Sequence, residues 1–142
     1  MSDPRLDADI VGKNAEYLTA YYDNSAITYS ASSAGGSSKV GLAVTLSSDG
    51  TISTAADAEL VLGKLIKVEP NGYCTVQVKG GMELAGGTGA TLTVGYPIVG
   101  AVDGSGNEGY IRIAAHATTT ETILARGRIW DNDDTTAVQV YL

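Results

Sequence analysis

Residues 63–80 read GKLIKVEPNGYCTVQVKG, and the reading of this stretch decides the fold. Glu69-Pro70-Asn71-Gly72 carries turn chemistry: Pro70 pre-sets φ at a corner, and Asn71 and Gly72 tolerate positive φ. Beyond the turn, Cys74, Val76 and Val78 alternate with Tyr73, Thr75, Gln77 and Lys79. A period of two gives a strand one apolar face and one mixed polar face. The stretch predicts two β-strands joined by a tight turn.

Residues 127–142, GRIWDNDDTTAVQVYL, follow a similar plan. Gly63-Lys64-Leu65 matches Gly127-Arg128-Ile129 at an offset of 64, and Val76-Gln77-Val78 matches Val138-Gln139-Val140 at an offset of 62. Gly41-Leu42-Ala43-Val44 and Pro97-Ile98-Val99-Gly100 form a further pair ahead of them. Two readings stand: a duplicated β-unit, or chance reuse of Val-x-Val by a β protein.

The 142 residues fit one domain with an appended segment. Eighteen glycines, no phenylalanine and many Val, Thr and Ile favour short strands and turns over helices. The expected class is all-β, a small β-barrel or β-sandwich of short strands, preceded by an extended N-terminal arm. A net charge of −7, with basic residues scattered singly, argues against nucleic acid as a partner. The lone Cys74 excludes an intramolecular disulfide, and its apolar strand face predicts a buried, inert thiol. The N-terminus lacks a basic stretch followed by an apolar run, so no secretory leader is expected, and no stretch is long enough to span a bilayer. A reducing cytoplasm is the expected place of synthesis.

The organisation splits at residue 38. Residues 1–38 read as an arm ending in the small-residue linker SASSAGGSS over 30–38, which has nothing to bury. Residues 39–142 read as the β domain. Within the arm, Tyr17 and Tyr21, and Leu18 and Tyr22, are spaced i, i+4, giving an aromatic face if helical. The same residues also suit an extended strand. With Tyr29, they are candidate contact residues for another surface. Trp130 either caps the core or anchors a contact, and Arg126 and Arg128 share its strand face by alternation.

The chemistry-bearing residues do not converge. His116 has no second histidine and no cysteine cluster to complete a zinc set. Gly104-Ser105-Gly106 lies in a polar hairpin loop and not in a strand-to-helix elbow. Asp131-Asn132-Asp133-Asp134 starts like a calcium loop, but Thr136 and Leu142 occupy the positions that require Gly and Glu. Residues 80–89 are glycine-rich without the Lys-Ser/Thr end of a P-loop. No enzymatic activity, metal or cofactor is expected.

The pattern Val40-Gly41-Leu42-Ala43-Val44, Asp49-Gly50-Thr51-Ile52, Gly63-Lys64-Leu65-Ile66, Thr75-Val76-Gln77-Val78-Lys79-Gly80, Tyr96-Pro97-Ile98-Val99 and Val138-Gln139-Val140 resembles the small β-barrel decoration, or cement, proteins of tailed-bacteriophage heads. The resemblance covers residues 39–142 and carries no catalytic motif. It implies a virion protein bound to the capsid exterior, partnered with the major capsid protein, often as a homotrimer at three-fold or quasi-three-fold sites. A carbohydrate- or receptor-binding β module of a phage tail or fibre is the alternative, with Tyr96, Tyr110 and Trp130 as exposed aromatic candidates.

Overall fold

The computed structural model describes residues 10–142. Its organising hairpin is β4 (Gly63–Val68) and β5 (Tyr73–Lys79), antiparallel, with Leu65 opposite Val76 and Val68 opposite Cys74. The turn forms as its residues dictate. The Glu69 N–H donates to the Tyr73 carbonyl at 2.9 Å, the Asn71 side chain accepts from the Tyr73 N–H, and Gly72 takes φ +93°.

Three further strands close a barrel around this hairpin: β1 (Glu16–Tyr22), β2 (Ala43–Ser48) and β3 (Thr51–Thr54), in the order β1-β3-β2-β4-β5. β1 pairs antiparallel with β5, Ala20 opposite Cys74, and parallel with β3, Tyr22 opposite Ile52. The all-β barrel expectation therefore holds, but the break at residue 38 does not separate arm from body. Glu16–Tyr22 is a barrel strand, because alternate residues Ala20 and Tyr22 are buried in the core. The first nine residues of the expected arm lie outside the described residues.

The serine-rich segment before β2 also packs. Ile27 just ahead of it is fully buried; within it Ser37 is buried, and a Cβ on Gly36 would overlap the Val68 carbonyl. Its small residues permit close backbone approach, the role the linker reading had missed.

The remaining strands are β6 (Gly81–Leu84), β7 (Ile98–Val102), β8 (Glu108–Ile113), β9 (Arg128–Asp131) and β10 (Val138–Tyr141), with the helix α1 (Thr119–Leu124) between β8 and β9. They form sheets β6-β10-β9 and β7-β8, joined by bridges Ile98–Arg126 and Gly86–Ile111. With those bridges the order becomes β6-β8-β7-β9-β10, which repeats that of the first five strands.

The repeat extends to individual hydrogen bonds. Leu62 N–H to Val44 O, Leu65 N–H to Leu42 O and Gly41 N–H to Leu65 O recur as Arg126 to Ile98, Ile129 to Tyr96 and Gly95 to Ile129. The parallel closure recurs too: Asp23 N–H to Ile52 O is matched by Gly87 N–H to Ile111 O. β1, β4 and β5 map onto β6, β9 and β10 at an offset of 64, β2 onto β7 at 54, and β3 onto β8 at 59. Val76 thus corresponds to Val140 and not to Val138, a two-residue correction to the sequence match. Each half has its own core, and the cores correspond: Ala20 with Leu84, Val44 with Ile98, Ile52 with Ile111, Leu65 with Ile129, Cys74 with Val138 and Val76 with Val140. Where Tyr22 fills the first core, the second has Gly86, and the Leu92 side chain occupies the space a residue-86 side chain would need.

The halves are locked at a polar seam. The Arg126 guanidinium donates to the carbonyls of Val61, Leu62 and Val78, while Gly100 N–H bonds Glu59 O and Gly109 N–H bonds Ala55 O. Ala43, Ala55 and Val61 of the first half also belong to the second core. This shared core predicts one cooperative transition. Leu65→Ala should cost about 2–5 kcal/mol and shift the urea midpoint equally by Trp130 emission, which reads the second half, and by far-UV circular dichroism. A Trp130 transition left unmoved by Leu65→Ala would show that the halves unfold independently.

Candidate functional site

The strongest surface feature lies on the outer face of β1 and β5. Strand alternation turns Ala20 and Tyr22 inward and Tyr17, Thr19 and Tyr21 outward. The register sets Tyr17 opposite Gln77, Thr19 opposite Thr75 and Tyr21 opposite Tyr73. Tyr17 is 57% exposed and Tyr21 50%. The Tyr21 and Tyr73 rings lie 4.8 Å apart, tilted by 32°, with their hydroxyls 3.2 Å from one another. The Tyr21 hydroxyl and its proximity hold the Tyr73 phenol above the ordinary tyrosine range. Beside Tyr73 lies a groove of about 330 Å³ lined by Thr19, Glu69, Asn71 and Thr75. Stacked, pre-ordered phenols next to short polar groups make a surface that can bury aromatic area at little entropic cost.

The other candidate residues separate. Tyr22 is buried and its hydroxyl donates to the Glu69 carbonyl at 2.8 Å, so it packs the first core and is not on the surface. Leu18 and Tyr29 are each partly exposed, while Tyr29 lines a different groove with Gly36 and Lys67. Arg126 does not share a face with Trp130. Gly127 takes φ +64° just before β9, which breaks the alternation and turns Arg126 into the seam between the halves. Burial there pushes its pKa down, and carbonyl oxygens satisfy it in place of carboxylates. Arg128 and Trp130 do lie outward on β9; Trp130 is 50% exposed and belongs to neither core. Tyr96 and Tyr110 line different clefts: Tyr96 lines one with His116, whereas Tyr110 lines a groove beneath the glycine-rich loop.

Sequence reasoning missed Tyr73 as a surface partner of Tyr21. Its signal was present, because Tyr73 falls on the polar phase of its strand and a bulky aromatic there has to face outward.

The titratable groups serve packing. Cys74 is buried, its thiol donating to the Ala20 carbonyl at 3.4 Å, and burial pushes its pKa up to about 11. Among the described residues no three His, Cys, Asp or Glu side chains gather as a metal site, and no helix is long and apolar enough to cross a membrane. A largely buried ion pair pins α1 to β8. Both Arg112 terminal nitrogens donate to Glu121 at 2.9 Å, and the Ala115 N–H adds a bond at 2.7 Å. The Arg112 Nε also reaches Asp57 at 2.9 Å, tying α1 and β8 to the connector of the first half.

Comparison of the chain with protein-family models, with curated proteins and with solved structures returned no match.

The Arg112 guanidinium and then the Ala115 N–H hold the Glu121 carboxyl at about 2, against 4.5 for the free group. A depressed folded pKa gives stabilisation that is full above pH 4.5 and is lost as pH falls towards 2. Glu121→Gln should therefore lower the urea midpoint at neutral pH and flatten its fall across that acid window. Parallel pH profiles for the two proteins would contradict this role.

Proposed function

We propose that this protein is a non-enzymatic virion component that binds the outer surface of a tailed-phage capsid and clamps neighbouring major capsid subunits, as a homotrimer at three-fold or quasi-three-fold sites. The observation that carries the reading is the outward tyrosine face of β1 and β5, built on a closed barrel. Tyr17, Thr19, Tyr21, Tyr73 and Thr75 present aromatic and hydroxyl groups without a charge among them. Such a surface suits a protein partner, since tyrosine contributes a large contact area and a terminal hydrogen bond. Repetition over a lattice of identical subunits turns a modest contact into avidity. The clamp in this reading is a rigid barrel face, because residues 16–22 are committed to their own barrel and cannot add a strand to a neighbour.

The stacked Tyr21–Tyr73 pair beside Asn71 and Glu69 also favours a second reading, a carbohydrate- or receptor-binding module of a phage tail or fibre. Aromatic platforms flanked by a few polar groups are what flat, hydroxylated ligands require.

Co-sedimentation with empty phage shells separates the two. Under the first reading the protein pellets with shells, and the combined Tyr17→Ala, Tyr21→Ala, Tyr73→Ala variant loses about tenfold or more in affinity while keeping its thermal midpoint. Retention of shell binding by the triple variant would remove this face, and absence of binding to any shell would remove the reading. Selective glycan binding that the triple variant lacks would establish the second.

A further inference from the structure

The internal repeat carries a consequence for assembly. The halves meet through a directional contact, and the repeat identifies both of its sides. On the first-half side stand Leu42 and the connector after β3. On the second-half side stand Gly100 of β7 and Gly109 of β8. Gly100 faces Ala55 and Ala56, so closely that a Cβ would overlap the Ala56 carbonyl, and Gly109 sits against Leu42. The Gly109 N–H bonds the Ala55 carbonyl, and Gly100 exchanges bonds with the 58–59 backbone.

Each side has a counterpart in the other half, and Leu46, Gly50, Tyr96 and Ala115 among these counterparts are exposed while Ala114 is buried. By the offsets above, Gly100 corresponds to Leu46 and Gly109 to Gly50, on the β2–β3 hairpin. Leu46 is a 52% exposed leucine at the start of an exposed run through Gly50. In the other direction, Leu42 corresponds to Tyr96, and Ala55 and Ala56 correspond to Ala114 and Ala115. Tyr96 is 47% exposed and, with Pro97, Ala114, His116 and Arg128, lines a cleft of about 390 Å³. The chain uses this contact once internally and leaves a knob at one end and a socket at the other.

We propose that copies of this chain associate head to tail by repeating the contact between their own halves, the β2–β3 hairpin of one copy seating in the Tyr96–Ala114 cleft of the next. Leu46 has a side chain where Gly100 has none, so the copies stand further apart than the halves do, and the cleft supplies the volume that the leucine fills. Charge agrees with the direction of docking. Asp49 projects from the hairpin tip, whereas the cleft wall holds Arg128 and His116 and no carboxylate. In a chain of net charge −7, approach through most other surfaces sets like charges together. A contact between two different patches is heterologous, so it closes into a ring or extends as a filament, and a symmetric dimer is not its product. The inference concerns self-association alone and holds or fails independently of capsid binding.

Sedimentation velocity over about 10 µM to 1 mM, the range that suits a small contact, tests it directly. The wild type should form concentration-dependent species larger than a dimer. Leu46→Asp and Tyr96→Asp, both at exposed positions, should each give monomers with unchanged circular dichroism. Mixing the two variants should restore dimers only, because each retains one intact side. Oxidising a mixture of Leu46→Cys and Ala115→Cys chains should cross-link unlike chains in preference to like ones; buried Cys74 stays out of the reaction. A monomeric wild type throughout the range, association that survives both Asp variants, or cross-linking of Leu46→Cys chains chiefly to themselves would overturn the proposal. Shell binding by an Asp variant bears on the capsid reading and leaves this one untouched.

Discussion

Pairing of strand edges governs this molecule. A strand left at the rim of a small sheet exposes a row of unsatisfied N–H and C=O groups, and closure is the one arrangement that removes the rim. β1 achieves closure by serving two neighbours of opposite direction, β5 antiparallel and β3 parallel. The second half reaches the same end more economically, with β6 antiparallel to β10 and a single parallel bridge at Gly86. That two stretches of dissimilar sequence solve one problem with matching hydrogen bonds and matching core positions argues for a duplicated unit over coincidence. The duplication explains why a chain of this length carries two small cores.

The seam that joins the halves is polar on one side and apolar on the other, where Ala43, Ala55 and Val61 enter the second core. Arg126 is a half-buried cation whose partners are backbone carbonyls at the seam, and its counterpart in the first half, Leu62, is apolar. Desolvating a guanidinium is costly unless its donors are satisfied, and three carbonyls drawn from two segments of the first half satisfy this one. The arrangement therefore sets geometry more than it adds stability. Arg112 acts similarly, holding α1 and the first-half connector at fixed positions through Glu121 and Asp57. The outward tyrosines stand on a scaffold braced at both ends, so their rings need little further ordering on contact.

The β4–β5 hairpin was legible in the sequence because Pro70, Asn71 and Gly72 encode a turn locally, and Cys74 was legible as a core residue from alternation. The likeness of Gly63 to Gly127 was also visible at its true offset. β1 was ambiguous for a physical reason: two apolar pairs at i, i+4 satisfy a helix face, and only the partners β5 and β3, distant in sequence, select the strand. β6 was hidden because Gly81 reads as a loop residue, whereas it is there to admit the Ile10 carbonyl. The segment 30–38 looked like a tether because small residues that permit close packing have the same composition as those that need none. Arg126 was placed on the wrong face because one positive φ at Gly127 cancels the parity on which strand reading depends. α1 begins within the threonine run 118–120, residues of modest helix propensity, and its position rests on Glu121 reaching Arg112, a tertiary event.

The first core is assembled entirely from residues preceding β6, whereas the second draws on Ala43, Ala55 and Val61 as well as its own strands. A nascent polypeptide leaving the ribosome has every strand of its first barrel once Lys79 has emerged, with all the strands of the second half still to follow. The later portion then condenses against a finished wall, so vectorial synthesis and the order of the two cores run the same way.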